Sequence, residues 1–308
     1  MLKTIAATRQ VPDAAAWAQR REAWVNAALA RDGQLGETPL LPVLLTLLAA
    51  DSDTDELPET RAMILARVVE DIVRRHEMTT EIALGALPQG HEADVLLDAF
   101  PLIARVLTSA GGTAERDVIA QALAARLRER WGLAPGPADV TARQILVFWD
   151  ESGAFVAQGQ KQLTSPRLQL LLEIGTAMDA AANSASAAVF VQSAAPDPNR
   201  RETLILAAGL SPEIADNLVV AASKSDDVEL AFAAAKAIGQ GASVADERLQ
   251  LLAERLVRDV RRADRPSWRA ATTALHLSPL PAAAQVSVLG SLSVLPHEYE
   301  VIGRALEP

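Results

Sequence analysis

Apolar residues recur at three- and four-residue spacing along almost the whole chain, and in one short stretch that rhythm gives way to alternation. This contrast constrains the fold more than any other feature. A period of three to four puts apolar side chains on one face of a helix, whereas alternation puts them on one face of a strand. The chain is therefore expected to be mainly all-α, with one small β-hairpin. Ile64, Leu65, Val68, Val69, Ile72 and Val73 form one helical stripe, and Leu96, Phe100, Ile103 and Leu107 form another. Phe155 and Val156, a polar turn around Gly159, and then Leu163 carry the alternation.

Prolines, glycines and capping residues divide the helices into groups. Pro12-Asp13 opens a helix carrying Trp17, Trp24 and Ala28 until Asp32-Gly33. Thr38-Pro39 supplies an N-cap and a first-turn proline for the apolar run Leu40 to Ala50. An acidic loop follows, and Pro58-Glu59 starts the helix of the first stripe. Residues 1–84 read as a helical domain.

After the Gly85–Gly90 loop come three helical patterns: one kinked by Pro101, one running to Trp131, and one capped at Asp139 or Thr141 and carrying Ile145, Leu146 and Trp149. Gly111-Gly112-Thr113 separates the first two, and Pro135-Gly136-Pro137 the last two. The hairpin comes next, and Ser165-Pro166 caps a further helix. Residues 85–182 therefore read as a winged-helix-like domain, although a plain helical bundle with an irregular loop has the same pattern. From Asn183 the composition shifts to Ala and Ser, with a joint at Pro196–Asn199. The short helical pieces beyond it, from Arg200 to Leu306, suggest a HEAT-like α-solenoid fragment over 183–308.

Composition narrows the function. The 39 acidic residues against 29 Lys and Arg give a net charge of −10, which disfavours broad attachment to DNA or anionic membrane. Aromatic residues make up 4%, too few for a long stacking platform for single-stranded nucleic acid. Leu40–Ala50, the densest apolar run, is about half the length of a membrane span. The N-terminal apolar patch is too short for a signal peptide, so a cytoplasmic location is expected.

Chemistry is hard to find. None of Lys3, Lys161, Lys224 and Lys236 lies in the phosphate-loop pattern G-x-x-x-x-G-K-S/T. Gly239-Gln240-Gly241 follows a helical pattern and reads as a helix end, not a dinucleotide fingerprint. His91-Glu92 begins like a zinc-protease motif, but Val95 stands where the second histidine belongs. With no cysteine there is no thiolate site. Asp51/Asp53/Asp55 and Asp226/Asp227 read as solvated caps, and Arg255, Arg258, Arg261, Arg262 and Arg265, interleaved with acids, as a solvated helix face. The helix from Asp139 to Gly153 carries Arg143 against Asp139, Asp150 and Glu151, so nucleic acid is not the expected partner. No catalytic residue and no metal ligand is expected.

Three stretches together resemble a known family. Gly36-Glu37-Thr38-Pro39-Leu40-Leu41-Pro42-Val43-Leu44-Leu45 is followed by an acidic loop and by Leu57-Pro58-Glu59-Thr60-Arg61-Ala62, running into Val68-Val69-Glu70-Asp71-Ile72. This resembles the helical domain behind the nucleotide-binding domain of NACHT-type STAND NTPases. Phe148 to Val156 looks like that family's step from a winged helix into its hairpin. The resemblance implies a non-catalytic regulatory or sensor portion of a signalling NTPase, whose parent polypeptide extends upstream into a phosphate loop and binds ATP or ADP. It implies no cofactor held by this chain alone, a nucleotide edge at Pro39, and a protein partner: the parent's own nucleotide-binding domain or a separate protein. The family's histidine just after the wing is absent, with Thr164, Ser165 and Pro166 in that neighbourhood. The alternatives are a freestanding α-helical scaffold for a protein partner and a winged-helix DNA-binding protein, the latter opposed by the charges above.

Overall fold

A computed structural model describes residues 1–31, 40–51, 60–79, 90–158 and 163–261, with a few single positions between. Among them the chain is mainly helical, as expected, with a single small sheet. It divides into two compact units, Met1–Asp179 and Ala180–Pro308. Residues 1–84 and most of 85–182 thus fall in one unit.

The first unit begins with α1 (Leu2–Thr8), α2 (Ala14–Arg31), α3 (Leu40–Asp51) and α4 (Arg61–Thr79). The short α1 escaped the sequence reading because seven residues span too few turns to show a stripe. It buries Leu2 with Ala18 and Ala50, and it delivers Arg9 to the end of α3. Asp51 closes α3, where a carboxylate meets the unfavourable end of the helix dipole. Arg9, Arg74 and Arg75 all pair with Asp51, and Arg9 Nη1 also donates to the Ala50 carbonyl at 2.9 Å. Buried Asp71 on α4 shares Arg74 and Arg75. Asp51 is therefore a clamp between helices; Asp53 and Asp55 lie outside the described residues.

Next come α5 (Glu92–Ser109), β1 (Ala114–Glu115), α6 (Arg116–Trp131), α7 (Pro135–Glu151), β2 (Phe155–Gln158), β3 (Leu163–Pro166) and α8 (Gln169–Ala181). The strands form one antiparallel sheet in the order β1-β3-β2. Gly111 and Gly112 end α5 at φ +74° and +96°, a conformation other residues rarely adopt, and the Gly112 N–H reaches back 2.7 Å to the Leu107 carbonyl. Pro101 sits inside α5 without ending it.

Two boundaries differ from the sequence reading. α7 begins at Pro135, because proline at the first helical position lacks only an N–H that would be unpaired anyway. Thr141 is then a buried interior residue and no cap. Ser165 and Pro166 belong to β3: Ser165 pairs with Val156 and Pro166 with Phe155, and the Gln158 amide donates to Ser165 Oγ at 2.7 Å.

The core of this unit is aromatic at its centre. Trp149 is fully buried, with ring centroids 4.9 Å from Phe100, 5.1 Å from Phe148 and 6.3 Å from Phe155. α8 crosses α5 at Gly175, where an added Cβ would stand 2.5 Å from that of Ala104. Thr108 and Thr176 hydrogen-bond across the same crossing.

The second unit contains α9 (Ala187–Ala194), α10 (Arg201–Leu210), α11 (Pro212–Lys224), α12 (Val228–Gly239) and α13 (Asp246–Arg261). α10 packs on both α11 and α12, and α11 on both α12 and α13, so helices meet their next neighbour and the one after it. Ser211 and Asp227 cap α11 and α12 by accepting the N–H of Ile214 and Glu229. Asp227 also pairs with Arg201, so this acid of the Asp226/Asp227 pair is structural. Arg255 departs from the solvated face read for its cluster: it is 2% exposed, and its Nε donates to the Ser225 carbonyl at 2.9 Å, just past the end of α11. Side chains of Arg258 and Arg261, and all of Arg262 and Arg265, lie outside the described residues, as do the helical pieces read beyond Trp268.

Candidate functional site

Within the first unit a cavity of about 360 Å³ lies behind the hairpin. Leu65, Val68 and Ile72 of α4 form one wall, and Leu171 and Ile174 of α8 another. The turn Ser152–Ala154 and Arg167 complete it. Each wall follows from local sequence. The α4 stripe presents a branched aliphatic side chain on each successive turn. Arg167 is held by its backbone N–H, which donates to the Ala154 carbonyl at 3.0 Å and extends the β2–β3 ladder by one step. Gly153 turns out of α7 at φ +76°, and a Cβ there would stand 3.0 Å from Arg167 Nη1, so the guanidinium lies against bare backbone. Arg167 is exposed, and its side chain makes no hydrogen bond or ion pair with the described residues.

A second cluster joins α5, α6 and α8. Asp98, largely buried, accepts from Arg126 Nε at 3.3 Å and Nη2 at 3.2 Å, from Arg130, and from Trp131 Nε1 at 3.4 Å. With four donors on two oxygens, Asp98 works as a clamp, not as a general base. The bond to Asp98 raises the Arg126 pKa. Beside them Asp179 pairs with Arg105 at 3.5 Å, and burial pushes its carboxyl above the usual range against the opposing pull of Arg105 and Arg126. A carboxylate whose native pKa is raised binds more protons folded than unfolded, so its contribution to stability falls as pH rises through the raised value. Asp179→Asn is accordingly expected to be as stable as the parent or more so at pH 7, with the gain fading as pH falls through the raised value of the Asp179 carboxyl. Urea midpoints of both proteins at pH 7 and pH 4 measure this.

The other sequence candidates scatter. Pro39 lies outside the described residues. His91 precedes α5, 3.5 Å from Asp94 and with its ring 5.9 Å from Trp131. Gly241 follows α12 at φ +98°, a chain reversal after a helix. Thr164 and Ser165, where the family's histidine would stand, are 2% and 6% exposed within the sheet, so neither faces solvent. Asp150 on α7 accepts the Ala157 N–H at 3.1 Å and faces Arg116 Nη1 at 3.5 Å. Along the outer face of α7, Asp139, Val140, Arg143, Val147 and Glu151 are exposed, one cation against two acids. No helix among the described residues is long and apolar enough to cross a membrane, and no group of three acids or histidines among them could hold a metal ion.

Arg167 and Asp98 were not singled out from sequence. The available signal was a lone charge flanking an apolar stretch: Arg167 before Leu168, and Asp98 between Leu96 and Ala99. No protein-family model, curated protein or solved structure matches this chain.

Proposed function

We propose that this chain is the non-catalytic, regulatory portion of a NACHT-like signalling NTPase, acting through domain packing and protein–protein contact. The observation that carries the reading is the order α5-β1-α6-α7-β2-β3 with strands arranged β1-β3-β2, which is the connectivity of a winged helix. It follows directly on the helices α3 and α4 that bear the NACHT-like stretches. The mechanism is a switch: two packings of the winged helix against its neighbours differ by a few kcal/mol, and nucleotide or ligand on the parent protein biases them. The partner is the parent's own nucleotide-binding domain, which supplies the ATP or ADP site, and the same reading places the protein in the cytoplasm.

Duplex DNA is a poor partner for this winged helix, because α7 presents a face without excess positive charge. No retention on duplex DNA at 50 mM salt is the expected result; retention that weakens steeply with salt would favour the DNA-binding reading. A freestanding scaffold is the second reading, favoured by the packing of α10 on α12 and α11 on α13, the pattern of a helical-repeat stack. The coding sequence upstream of Met1 separates the two. An open frame reading into G-x-x-x-x-G-K-S/T is expected, and a frame that starts at Met1 with no phosphate loop upstream supports the scaffold.

A further inference from the structure

We propose that the cavity behind the hairpin binds a medium-chain monocarboxylate, with its tail among Leu65, Val68 and Leu171 and its carboxylate on Arg167. This goes beyond the packing role above and does not depend on it. Apart from Ser152, whose hydroxyl donates to the Trp149 carbonyl, and Arg167, the lining side chains are aliphatic and offer a sugar or a base nothing to hydrogen-bond. Arg167 is the only charged side chain among the described residues that line it. Its guanidinium has no partner among the described residues and presents a planar fork that matches a carboxylate. The ladder bond to Ala154 fixes where this arginine leaves the backbone, and Gly153 leaves its guanidinium room at the cavity's edge. Size bounds the tail: a cavity of about 360 Å³, at the small end of ligand pockets, suits an alkyl chain of medium length, for which decanoate is the probe. A chain with a net charge of −10 repels anions at long range, so specificity must come from this local contact.

Calorimetric titration of the full chain with decanoate, below its micelle-forming concentration, tests the proposal. One decanoate should bind per chain, and decylammonium, which has the same tail and the opposite charge, should bind at least about tenfold more weakly. Arg167→Gln should weaken decanoate about tenfold or more, and Arg167→Lys, which keeps the charge and loses the fork, should fall between the parent and Arg167→Gln. Ile72→Trp, which fills the cavity, should abolish binding while unfolding stays cooperative; should it fail to fold, the exposed Arg167→Gln still decides. Absence of decanoate binding, equal binding of decylammonium, or an Arg167→Gln protein that binds as tightly as the parent would each overturn the proposal.

Discussion

Trp149→Ala is expected to remove about 3–5 kcal/mol from the unfolding free energy of the first unit, the range for deleting a large buried aromatic side chain. Trp149 has no exposed surface, and three phenylalanine rings surround it. One comes from α5, one from its own helix and one from β2, so the vacated space is bordered by three separate elements that cannot all collapse into it. The loss should be read from urea unfolding followed by far-ultraviolet circular dichroism. Val147→Ala two residues away provides the control: Val147 is 48% exposed, and its change should stay within about 0.5 kcal/mol. Equal effects at the two positions would mean that Trp149 is not at the centre of this core.

Gly175→Ala is the second large effect, and its sign is informative. In an exposed helix interior the change stabilises by about 1 kcal/mol, because alanine loses less backbone freedom than glycine. Here the new methyl carbon would lie 2.5 Å from the Ala104 Cβ and 2.9 Å from a ring carbon of Phe100. Real contacts between such atoms begin near 3.5 Å, so α5 and α8 must separate. Overpacking of this kind costs about 1–3 kcal/mol, and the net outcome expected is destabilisation. A Gly175→Ala protein that unfolds at higher urea than the parent would contradict the close crossing of these two helices.

Much of the helical order was legible because it is written in local periods. The stripes over Ile64–Val73 and Leu96–Leu107 coincide with α4 and α5, and the shift to alternation at Phe155 marks the hairpin. What sequence left unread depends on contacts between distant segments. β1 is two residues long, and only its pairing of Ala114 with Thr164 and of Glu115 with Leu163 makes it a strand. α9 lies in the Ala- and Ser-rich stretch that begins at Asn183, before the Pro196–Asn199 joint, where eight residues with few large side chains leave a faint stripe. The charged neighbours of Arg255 suggest a solvated face, yet it stands three residues after buried Leu252, on a face that reaches the Ser225 carbonyl just past α11. The pairing of Asp98 with residues 28 to 33 positions away has no local signature at all.

The candidate cavity was invisible for the same reason. Its α4 wall was read correctly as an apolar stripe, but a stripe does not reveal whether its neighbour fills or merely borders it. The opening depends on Gly153 leaving a turn and on Arg167 being tied to Ala154, both set by the hairpin's register. Thr164 and Ser165 are buried within the same pairing of β3 with β2.

We propose that this polypeptide works by packing and breaks no bonds. Phosphate release from ATP by the purified chain, followed with magnesium present across a wide range of protein concentration, tests it most directly. A rate equal to buffer alone at every concentration is expected; turnover that scales with protein and survives repeated purification would show that the chain breaks bonds itself.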